Sequence, residues 1–234
     1  MAHVHDRARP VTHGEALASA ITPDGETLTL SREAEAYVVR VRGELLMSSR
    51  LSGSEAAMAE LARPGADQPV RGRVLVAGLG MGFTLRALLD RAAPDVVVDV
   101  LELLPAVITW NRQYLAGHAG HPLDDPRVRL HEADVLAYLA AGTQRYAAIL
   151  VDIDNGPEAF TVAANGRLYQ PEGLAALHRA LAPRGVLVVW SAFRSRRFER
   201  ALGTAGFTAR SVTARARADA AKGARHTLFV GTRS

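Results

Sequence analysis

Cysteine is absent from this sequence of 234 residues. Without a thiol, the chain can form no disulfide framework, no thiolate metal site and no cysteine nucleophile. The absence fits a reducing compartment, and we expect a cytoplasmic location.

Long apolar runs are absent as well. No stretch approaches the roughly 18–20 apolar residues that a membrane-spanning helix needs. The polar beginning of the chain, MAHVHDRARPVTHGE, lacks the apolar centre of a signal peptide. These features predict neither a membrane span nor a secretory leader.

Lysine is nearly absent, since Lys222 is the single lysine among 28 Lys and Arg residues. With 24 acidic residues, the formal net charge is +4. An arginine-rich surface is one way to bind nucleic acid, although a bias in composition toward arginine explains the positive net charge equally well. Hydrophobic residues make up 48% of the chain, which is enough to fill a core and excludes wholesale disorder.

The beginning of the chain differs in pattern from the rest. Residues 1–22 show no apolar period and predict a flexible arm. Apolar alternation at 27–30 and 36–41 predicts two short strands, and residues 54–62 predict a helix. We therefore expect a small β-rich domain over residues 23–70.

Residues 71–234 alternate between strands and helices, which predicts a single α/β domain. The five apolar strands of this alternation are expected at 74–77, 96–102, 127–130, 146–152 and 186–190. Two last strands, at 207–212 and 226–230, are too close in sequence for a crossover helix and predict an antiparallel hairpin. The fold class expected is a Rossmann-like, doubly wound sheet of about seven strands with this C-terminal hairpin.

The motif Gly78-Leu79-Gly80-Met81-Gly82 follows a predicted strand and opens a predicted helix. Glycines at such a place let the backbone turn sharply and approach a ligand closely. A dinucleotide fingerprint has a further glycine where this chain has Phe83. The functional interpretation is a nucleoside-type cofactor, and the structural alternative is a tight turn.

Two acidic residues lie at or just past the ends of the second and third predicted strands of the α/β domain. Glu102, 20 residues after Gly82, is placed to accept hydrogen bonds from both ribose hydroxyls, unless it is a surface acid. Asp134 is placed to accept a hydrogen bond from an adenine amino group, with Leu103 or Val135 against the ring. It is also a candidate helix N-cap, and the two roles are compatible.

Asp152, Asp154 and Asn155 follow the fourth strand. The carboxyl ends of strands line the ligand crevice of such a sheet. A carboxylate there can orient or deprotonate an amine or hydroxyl nucleophile, or hold a cationic substrate. The alternative is a turn rich in Asp and Asn before a loop.

Together these motifs resemble the class I S-adenosylmethionine-dependent methyltransferase fold and, within it, the spermidine synthase family. The stretches that carry the likeness are VLVAGLGMGFTLRALL, VLELLPAVI, EADVLAYL, YAAILVDIDNGP and GRLYQPEGLAALHRALAPRGVLVVW. The family also carries an N-terminal β-domain. The resemblance implies a transferase with S-adenosylmethionine or decarboxylated S-adenosylmethionine as its cofactor.

The resemblance implies a role for each residue at a matching position. Asp152 matches the catalytic aspartate that deprotonates the attacking amine. Tyr169 matches an aromatic residue of the loop over the active site, and Asp154 and Asn155 would shape the acceptor pocket with it. The residues implied to bind the cofactor are Gly78, Leu79, Gly80, Met81, Gly82, Glu102, Leu103, Asp134 and Val135. No metal ligand is expected.

The chain departs from the family pattern at Met81 and at the pair Met58-Ala59. Met81 stands where the family has an aspartate for the cofactor's amino group, and Met58-Ala59 replaces an aromatic pair for the polyamine. Ser54-Glu55 keeps part of the family's acid pair. These residues leave open whether a methyl or an aminopropyl group is transferred, and to which small amine or hydroxyl acceptor.

Two other function classes stay open. A nucleic-acid methyltransferase would use the same cofactor site and a basic stripe around Arg194 to Arg200, but no Asn-Pro-Pro-aromatic tetrad follows the fourth strand. A non-catalytic nucleoside-binding module would keep the fold and lose the chemistry. The expected partner is a small-molecule acceptor rather than nucleic acid or a membrane, and a homodimer is left open.

Overall fold

The computed structural model describes residues 14–65, 67–153, 156–157, 163–216 and 224–234. Within them, the first sheet of the chain is a small antiparallel meander. Its strands, in spatial order, are β1 (Glu15–Ile21), β2 (Thr27–Glu33), β3 (Ala36–Val41) and β4 (Glu44–Ser48). This sheet confirms the β-rich character expected near the N-terminus, while the division into domains at residue 70 stays a prediction.

Strand β1 corrects the prediction of a flexible arm over residues 1–22. Glu15 lies opposite Arg32 and Ile21 lies opposite Thr27, so this segment is a paired strand. Its sequence, EALASAI, carries mostly small side chains, and Ile21 is 66% exposed, so its apolar alternation is weak. The strand forms because the edge of β2 supplies hydrogen-bond partners, which the local pattern does not reveal. Residues 1–13 lie outside the described residues.

The large sheet confirms the expected Rossmann-like fold, with seven strands in the part of the chain that the structure describes. Its strands are β5 (Arg73–Ala77), β6 (Val97–Glu102), β7 (Val128–Glu132), β8 (Tyr146–Val151), β9 (Leu181–Ser191), β10 (Phe207–Arg215) and β11 (Arg225–Arg233). The spatial order is β10-β11-β9-β8-β5-β6-β7. Strands β5 to β9 run parallel, whereas β11 is antiparallel to both β9 and β10. The predicted C-terminal hairpin is therefore present, with its second strand inserted beside β9.

Helices connect the parallel strands and cover both faces of the large sheet. The helices are α1 (Gly53–Leu61), α2 (Phe83–Leu89), α3 (Pro105–Trp110), α4 (Val135–Ala141), α5 (Pro171–Ala180) and α6 (Arg196–Thr204). Helix α3 begins with Pro105 in its first turn and continues as a wider helical turn over Asn111–Leu115. Among the described residues, no helix is both long and apolar enough to cross a membrane.

Both faces of the large sheet are buried, and the side chains of β5 show how. Val74 and Val76 belong to a core that also holds Leu28 of β2 and Met58 of α1. Leu75 and Ala77 point to the other face, where α5 and α6 complete a second core. Because both faces are covered, the central strands β5 and β8 are apolar at nearly every position, as their sequences predict. The small sheet and the large sheet share the first core.

Candidate active site

A cavity of about 300 Å³ lies at the carboxyl ends of the parallel strands. Its walls come from the segments that follow β5, β6, β7 and β8, together with β4, the start of α1, and residues of β9 and β11. Strand β5 lies between β6 and β8. The chain runs outward from β5 through β6 to β7 and then crosses back to β8 on the other side of β5, so the strand order reverses there. Ligands bind at such a switch point in open α/β sheets, which makes this cavity the candidate site.

The glycine loop occupies the centre of the cavity floor. Gly78 has a φ of +93°, and a Cβ atom there would lie 2.1 Å from the backbone oxygen of Asp152. Any other residue at position 78 would therefore collide with the segment that carries Asp152. The Asn111 side chain donates to the Gly80 carbonyl oxygen at 2.7 Å and holds the loop from the other side. The loop is thus fixed between the end of β8 and the helical turn that continues α3.

Glu102 ends β6 and is held by the backbone around it. Its two carboxylate oxygens accept hydrogen bonds from the backbone N–H groups of Leu79, at 3.1 Å, and Leu104, at 2.9 Å. Burial raises the pKa of Glu102, and these backbone donors partly oppose that rise. Glu102 also lines the cavity, which places its carboxylate where it can accept hydrogen bonds from ribose hydroxyls.

Asp134 begins α4 and confirms the N-cap interpretation. Its carboxylate accepts a hydrogen bond from the backbone N–H of Ala137 at 2.9 Å. The same residue lines the cavity, as do Leu103 and Val135. The geometry therefore lets one carboxylate cap the helix and face a ligand.

Asp152 follows β8 and reaches the cavity from the centre of the sheet. The Thr84 hydroxyl of α2 donates to its carboxylate at 2.6 Å. Burial raises the pKa of Asp152, and the hydrogen bond from Thr84 partly offsets the rise. A buried carboxylate with a raised pKa is a better proton acceptor than an exposed one.

A hydrogen-bonded group of four side chains, three of which line the cavity, joins α1 to β9 and β11. Ser54 lies at its centre, and its hydroxyl contacts the Glu55 carboxylate at 2.8 Å and His226 Nδ1 at 2.9 Å. Trp190 Nε1 donates to the same hydroxyl at 3.0 Å. Burial raises the pKa of Glu55 to about 8, with the charge of Asp152 as the second cause. Burial lowers the pKa of His226.

Strand β4 and the turn after it close the cavity from the side of the small sheet. Leu45, Leu46, Met47 and Ser48 of β4 line the cavity, with Leu51 just beyond. The wall is mostly apolar, as ligand cavities commonly are. The small sheet is therefore part of the site and not an appendage to it.

The structure brings most of the predicted site residues together. The lining residues among them are Gly78, Leu79, Gly80, Met81, Glu102, Leu103, Asp134, Val135 and Asp152. Among the described residues, Gly82 and Tyr169 do not line the cavity. Gly82 has a φ of +85° and precedes α2, whereas the Tyr169 hydroxyl donates to the Ile153 carbonyl oxygen at 3.2 Å. The predicted substrate-binding residues Asp154 and Asn155 lie outside the described residues.

Sequence reasoning missed Thr84, Trp190, His226 and the lining residues of β4. Thr84 follows the glycine loop by two positions, so a polar residue at the start of α2 was a usable pointer. Trp190 and His226 carry no such pointer, because they reach Ser54 from 136 and 172 positions away. Only the folded chain brings these residues together.

Comparison with known proteins points to one family. The model of the spermine/spermidine synthase domain matches residues 59–197. The polyamine aminopropyltransferase of Mycobacterium tuberculosis strain CDC 1551 is 38% identical over 119 residues, and polyamine aminopropyltransferase 1 of Streptomyces coelicolor is 33% identical over 120 residues. Each match covers 50% of this chain but only 22% of the relative, so about a fifth of each relative's length is matched.

Solved structures show the same fold over nearly the whole chain. Spermidine synthase from Thermotoga maritima has a TM-score of 0.72 and 18% sequence identity, over 94% of this chain and 73% of that protein. A spermidine synthase in complex with the transition state analogue AdoDATO has a TM-score of 0.71 and 17% identity over the same shares. Fold and cavity thus define a protein of the class I S-adenosylmethionine-dependent methyltransferase-like fold. More closely, the chain belongs to the spermine/spermidine synthase family.

Proposed function

We propose that the protein transfers an aminopropyl group from decarboxylated S-adenosylmethionine to a small amine. The observation that carries this proposal is the half-buried carboxylate of Asp152, which faces the same cavity as Glu102 and Asp134. Membership of the spermine/spermidine synthase family supports it, as do relatives named polyamine aminopropyltransferase. The acceptor class proposed is a polyamine or a related alkylamine.

The residues at the part of the cavity formed by the glycine loop, Glu102 and Asp134 fit an adenosyl group. Glu102 would accept hydrogen bonds from the ribose hydroxyls, and Asp134 would accept one from the adenine amino group, as expected from the sequence. The glycine loop brings backbone close to the ligand without side chains in between. When bound, the sulfonium group makes its attached carbon atoms electrophilic.

Asp152 would act on the attacking amine. An alkylamine is protonated near neutral pH, and its nitrogen has no lone pair to attack with until it loses a proton. Asp152 would take that proton and hold the nitrogen toward the electrophilic carbon. A new C–N bond forms as the C–S bond breaks, and methylthioadenosine leaves. Positioning and proton transfer together are the protein's contribution.

Methyl transfer from S-adenosylmethionine is a second candidate, because Met81 supplies a buried apolar side chain to the cavity. That residue stands at the position where the resemblance implies an acid for the amino group of the donor. The two reactions differ in the donor that binds more tightly. A calorimetric titration with S-adenosylmethionine, its decarboxylated form and methylthioadenosine separates them, and we expect the decarboxylated form to bind more tightly than S-adenosylmethionine.

The variant Asp152→Asn tests the role of Asp152. We expect turnover to fall by roughly 10²–10⁴-fold, the usual effect of losing a general base, while methylthioadenosine affinity changes little. Glu132→Gln is the matched control, since Glu132 is an exposed acid that ends β7, which the two strands β5 and β6 separate from β8. Full turnover in Asp152→Asn would show that another group accepts the proton. A wild-type protein that binds none of the three ligands would contradict the proposed function itself.

A further inference from the structure

Thr84 is a buried residue of the cavity wall to which the proposed reaction gives no role. It is the second residue of α2, it is 2% exposed, and it lines the cavity. A threonine hydroxyl in a helix commonly bonds to the backbone of its own helix. Thr84 instead donates to Asp152, 68 positions further along the chain. The bond therefore joins the beginning of α2 to the segment that follows β8.

The backbone at both ends of this hydrogen bond is fixed. The Asp152 N–H donates to the Ala77 carbonyl oxygen at 2.8 Å, and the Asp152 carbonyl oxygen lies so close to Gly78 that it leaves no room for a Cβ atom there. At the other end, Thr84 is followed by Leu85, which is fully buried in the first core. With both backbones held, only the two side chains are left to rotate.

The hydrogen bond limits this rotation. The Thr84 hydroxyl donates to one oxygen of the Asp152 carboxylate, Oδ2, at 2.6 Å, a length typical of a hydroxyl that donates to an ionised carboxylate. A branched Cβ restricts threonine to few rotamers, so the donor itself moves little. Because the carboxylate is planar and its Cα is held by the backbone, a fixed Oδ2 also fixes the direction of Oδ1.

The same hydrogen bond favours the ionised form of the carboxylate. Burial raises the pKa of Asp152, and the bond from Thr84 opposes that rise. Among the described residues, the other titratable groups that line the cavity are Glu55 of α1, Glu102 of β6, Asp134 before α4 and His226 of β11. All four stay in place when Thr84 is replaced, so a comparison of variants at this position isolates the effect of the hydroxyl.

We propose that Thr84 is a positioning residue whose hydroxyl orients the Asp152 carboxylate toward the attacking amine. This inference rests on the proposed function and adds a residue of α2 to the groups that serve the reaction. The amine reacts when its lone pair is aligned with the C–S bond that breaks, and a carboxylate free to rotate would hold the nitrogen in many directions. Thr84 thus acts on the reaction through Asp152.

The test is steady-state transfer from decarboxylated S-adenosylmethionine to putrescine and, separately, to spermidine. Thr84→Val removes the hydroxyl with little change in shape, and Thr84→Ser keeps the hydroxyl. Thr84→Ala removes the same hydroxyl with a residue that favours helices, and it is the second variant if Thr84→Val fails to fold. Thr208→Val is the control, because Thr208 is exposed on β10. Calorimetric titration with methylthioadenosine reports whether each variant keeps its cavity.

We expect Thr84→Val to lower kcat and kcat/KM alike by roughly 10- to 100-fold, the range for losing a hydrogen bond to a charged group. The acidic limb of the kcat profile should move to higher pH, because Asp152 loses the donor that opposes the rise in its pKa. Methylthioadenosine affinity should stay close to that of the wild type. Thr84→Ser should restore both the rate and the pH profile, and Thr208→Val should match the wild type.

A double-mutant cycle with Asp152→Asn tests whether Thr84 acts through Asp152. If it does, the two substitutions remove the same contribution to the reaction. Adding Thr84→Val to Asp152→Asn should then change kcat by less than about twofold, because residues that act as a unit are not additive.

Three results would overturn the inference. A wild-type rate and pH profile in Thr84→Val would show that the hydroxyl does not orient Asp152. An equal loss of rate in Thr84→Ser, or an equal loss of methylthioadenosine affinity, would show that Thr84 supports the cavity only. Additive losses in the cycle would separate Thr84 from Asp152. Each result leaves the proposed function standing, whereas a wild-type protein that transfers no aminopropyl group to either amine contradicts the proposed function and this inference with it.

Discussion

Glu55 has different protonation states in the folded and the unfolded chain. Its pKa is about 8 when folded, against an ordinary value of 4.5. Between these values the folded chain keeps a proton that the unfolded chain has released, so the contribution of Glu55 to stability falls as the pH rises from 4.5 to 8. The facing groups Asp152 and His226 titrate as well, so the effect of Glu55 is read from a difference between variants.

We predict that Glu55→Gln removes this part of the pH dependence. From pH 5 to pH 8, the free energy of unfolding of the wild type should fall by on the order of 2–4 kcal/mol more than that of the variant, since one pKa unit corresponds to about 1.4 kcal/mol. Urea unfolding at a series of pH values measures the difference. Glu60→Gln is the control and should follow the wild type, because Glu60 lies on the same helix but is exposed and pairs with Arg63. Parallel curves for Glu55→Gln and wild type would contradict the folded pKa.

Single residues show where sequence reasoning reached the site and where it stopped. Glu102, Asp134 and Asp152 were found because each follows a predicted strand, and the ends of parallel strands meet at one edge of a sheet. His226 was not found, because it approaches from β11, a strand antiparallel to its neighbours. Its approach to Ser54 depends on strand order, which local sequence does not encode.

Among the elements, α4 is linked to the site through a single residue, Asp134, which has a structural role as well as a place in the cavity. Asp134 accepts the hydrogen bond that caps the helix, and it also lines the cavity. Asparagine caps helices as well as aspartate does but carries no charge, whereas alanine provides neither the cap nor the charge. Two substitutions at this position therefore separate the cap from the ligand contact.

We predict that Asp134→Ala lowers the free energy of unfolding by about 0.5–2 kcal/mol, the usual cost of a lost N-cap. Asp134→Asn should keep stability close to that of the wild type. If the carboxylate accepts a hydrogen bond from the adenine amino group, both variants should bind methylthioadenosine more weakly than the wild type. Calorimetry measures this affinity. If Asp134→Asn bound methylthioadenosine with wild-type affinity, Asp134 would act only as a helix cap.

The order of elements was predictable, but strand extents were not. The βα alternation from β5 to β9 follows from apolar runs separated by helical periodicity, and the structure has the same order. Strand β9 begins at Leu181, before the predicted 186–190, because Leu181 pairs with Tyr146 across a register shift. Strand β1 was missed for a related reason, since its partner strand and not its own pattern determines it.

In the whole molecule, charge is distributed unevenly between the surface and the cavity. The chain has a formal net charge of +4, yet the charged residues that line the cavity in the described part of the chain are acids. An acidic cavity attracts a cationic ligand and repels phosphate. This distribution favours the adenosyl and amine ligands of the proposed function over a nucleic acid.

The small sheet should respond when the cavity is filled. We predict that saturating methylthioadenosine slows amide hydrogen exchange in β4 as well as in the glycine loop, because residues of both line the cavity. At a concentration of 100 times the Kd, the ligand adds about 2.7 kcal/mol to the stability of the folded state. Amide hydrogen exchange followed by mass spectrometry measures this protection, under conditions in which amides exchange through local opening of the structure rather than through global unfolding. Protection confined to the large sheet would show that β4 does not enclose the ligand.

Strand β11 has a consequence for the order in which the molecule can be completed. It follows β10 in chain order, yet it lies between β9 and β10, and in the described sheet β10 joins the rest only through it. During synthesis, β10 leaves the ribosome first and has no partner strand until residues 225–233 follow. The histidine that contacts Ser54 arrives with the same strand. A nascent chain can therefore assemble its glycine loop early, but the wall that holds Glu55 is completed only after residues 225–233 have been synthesised.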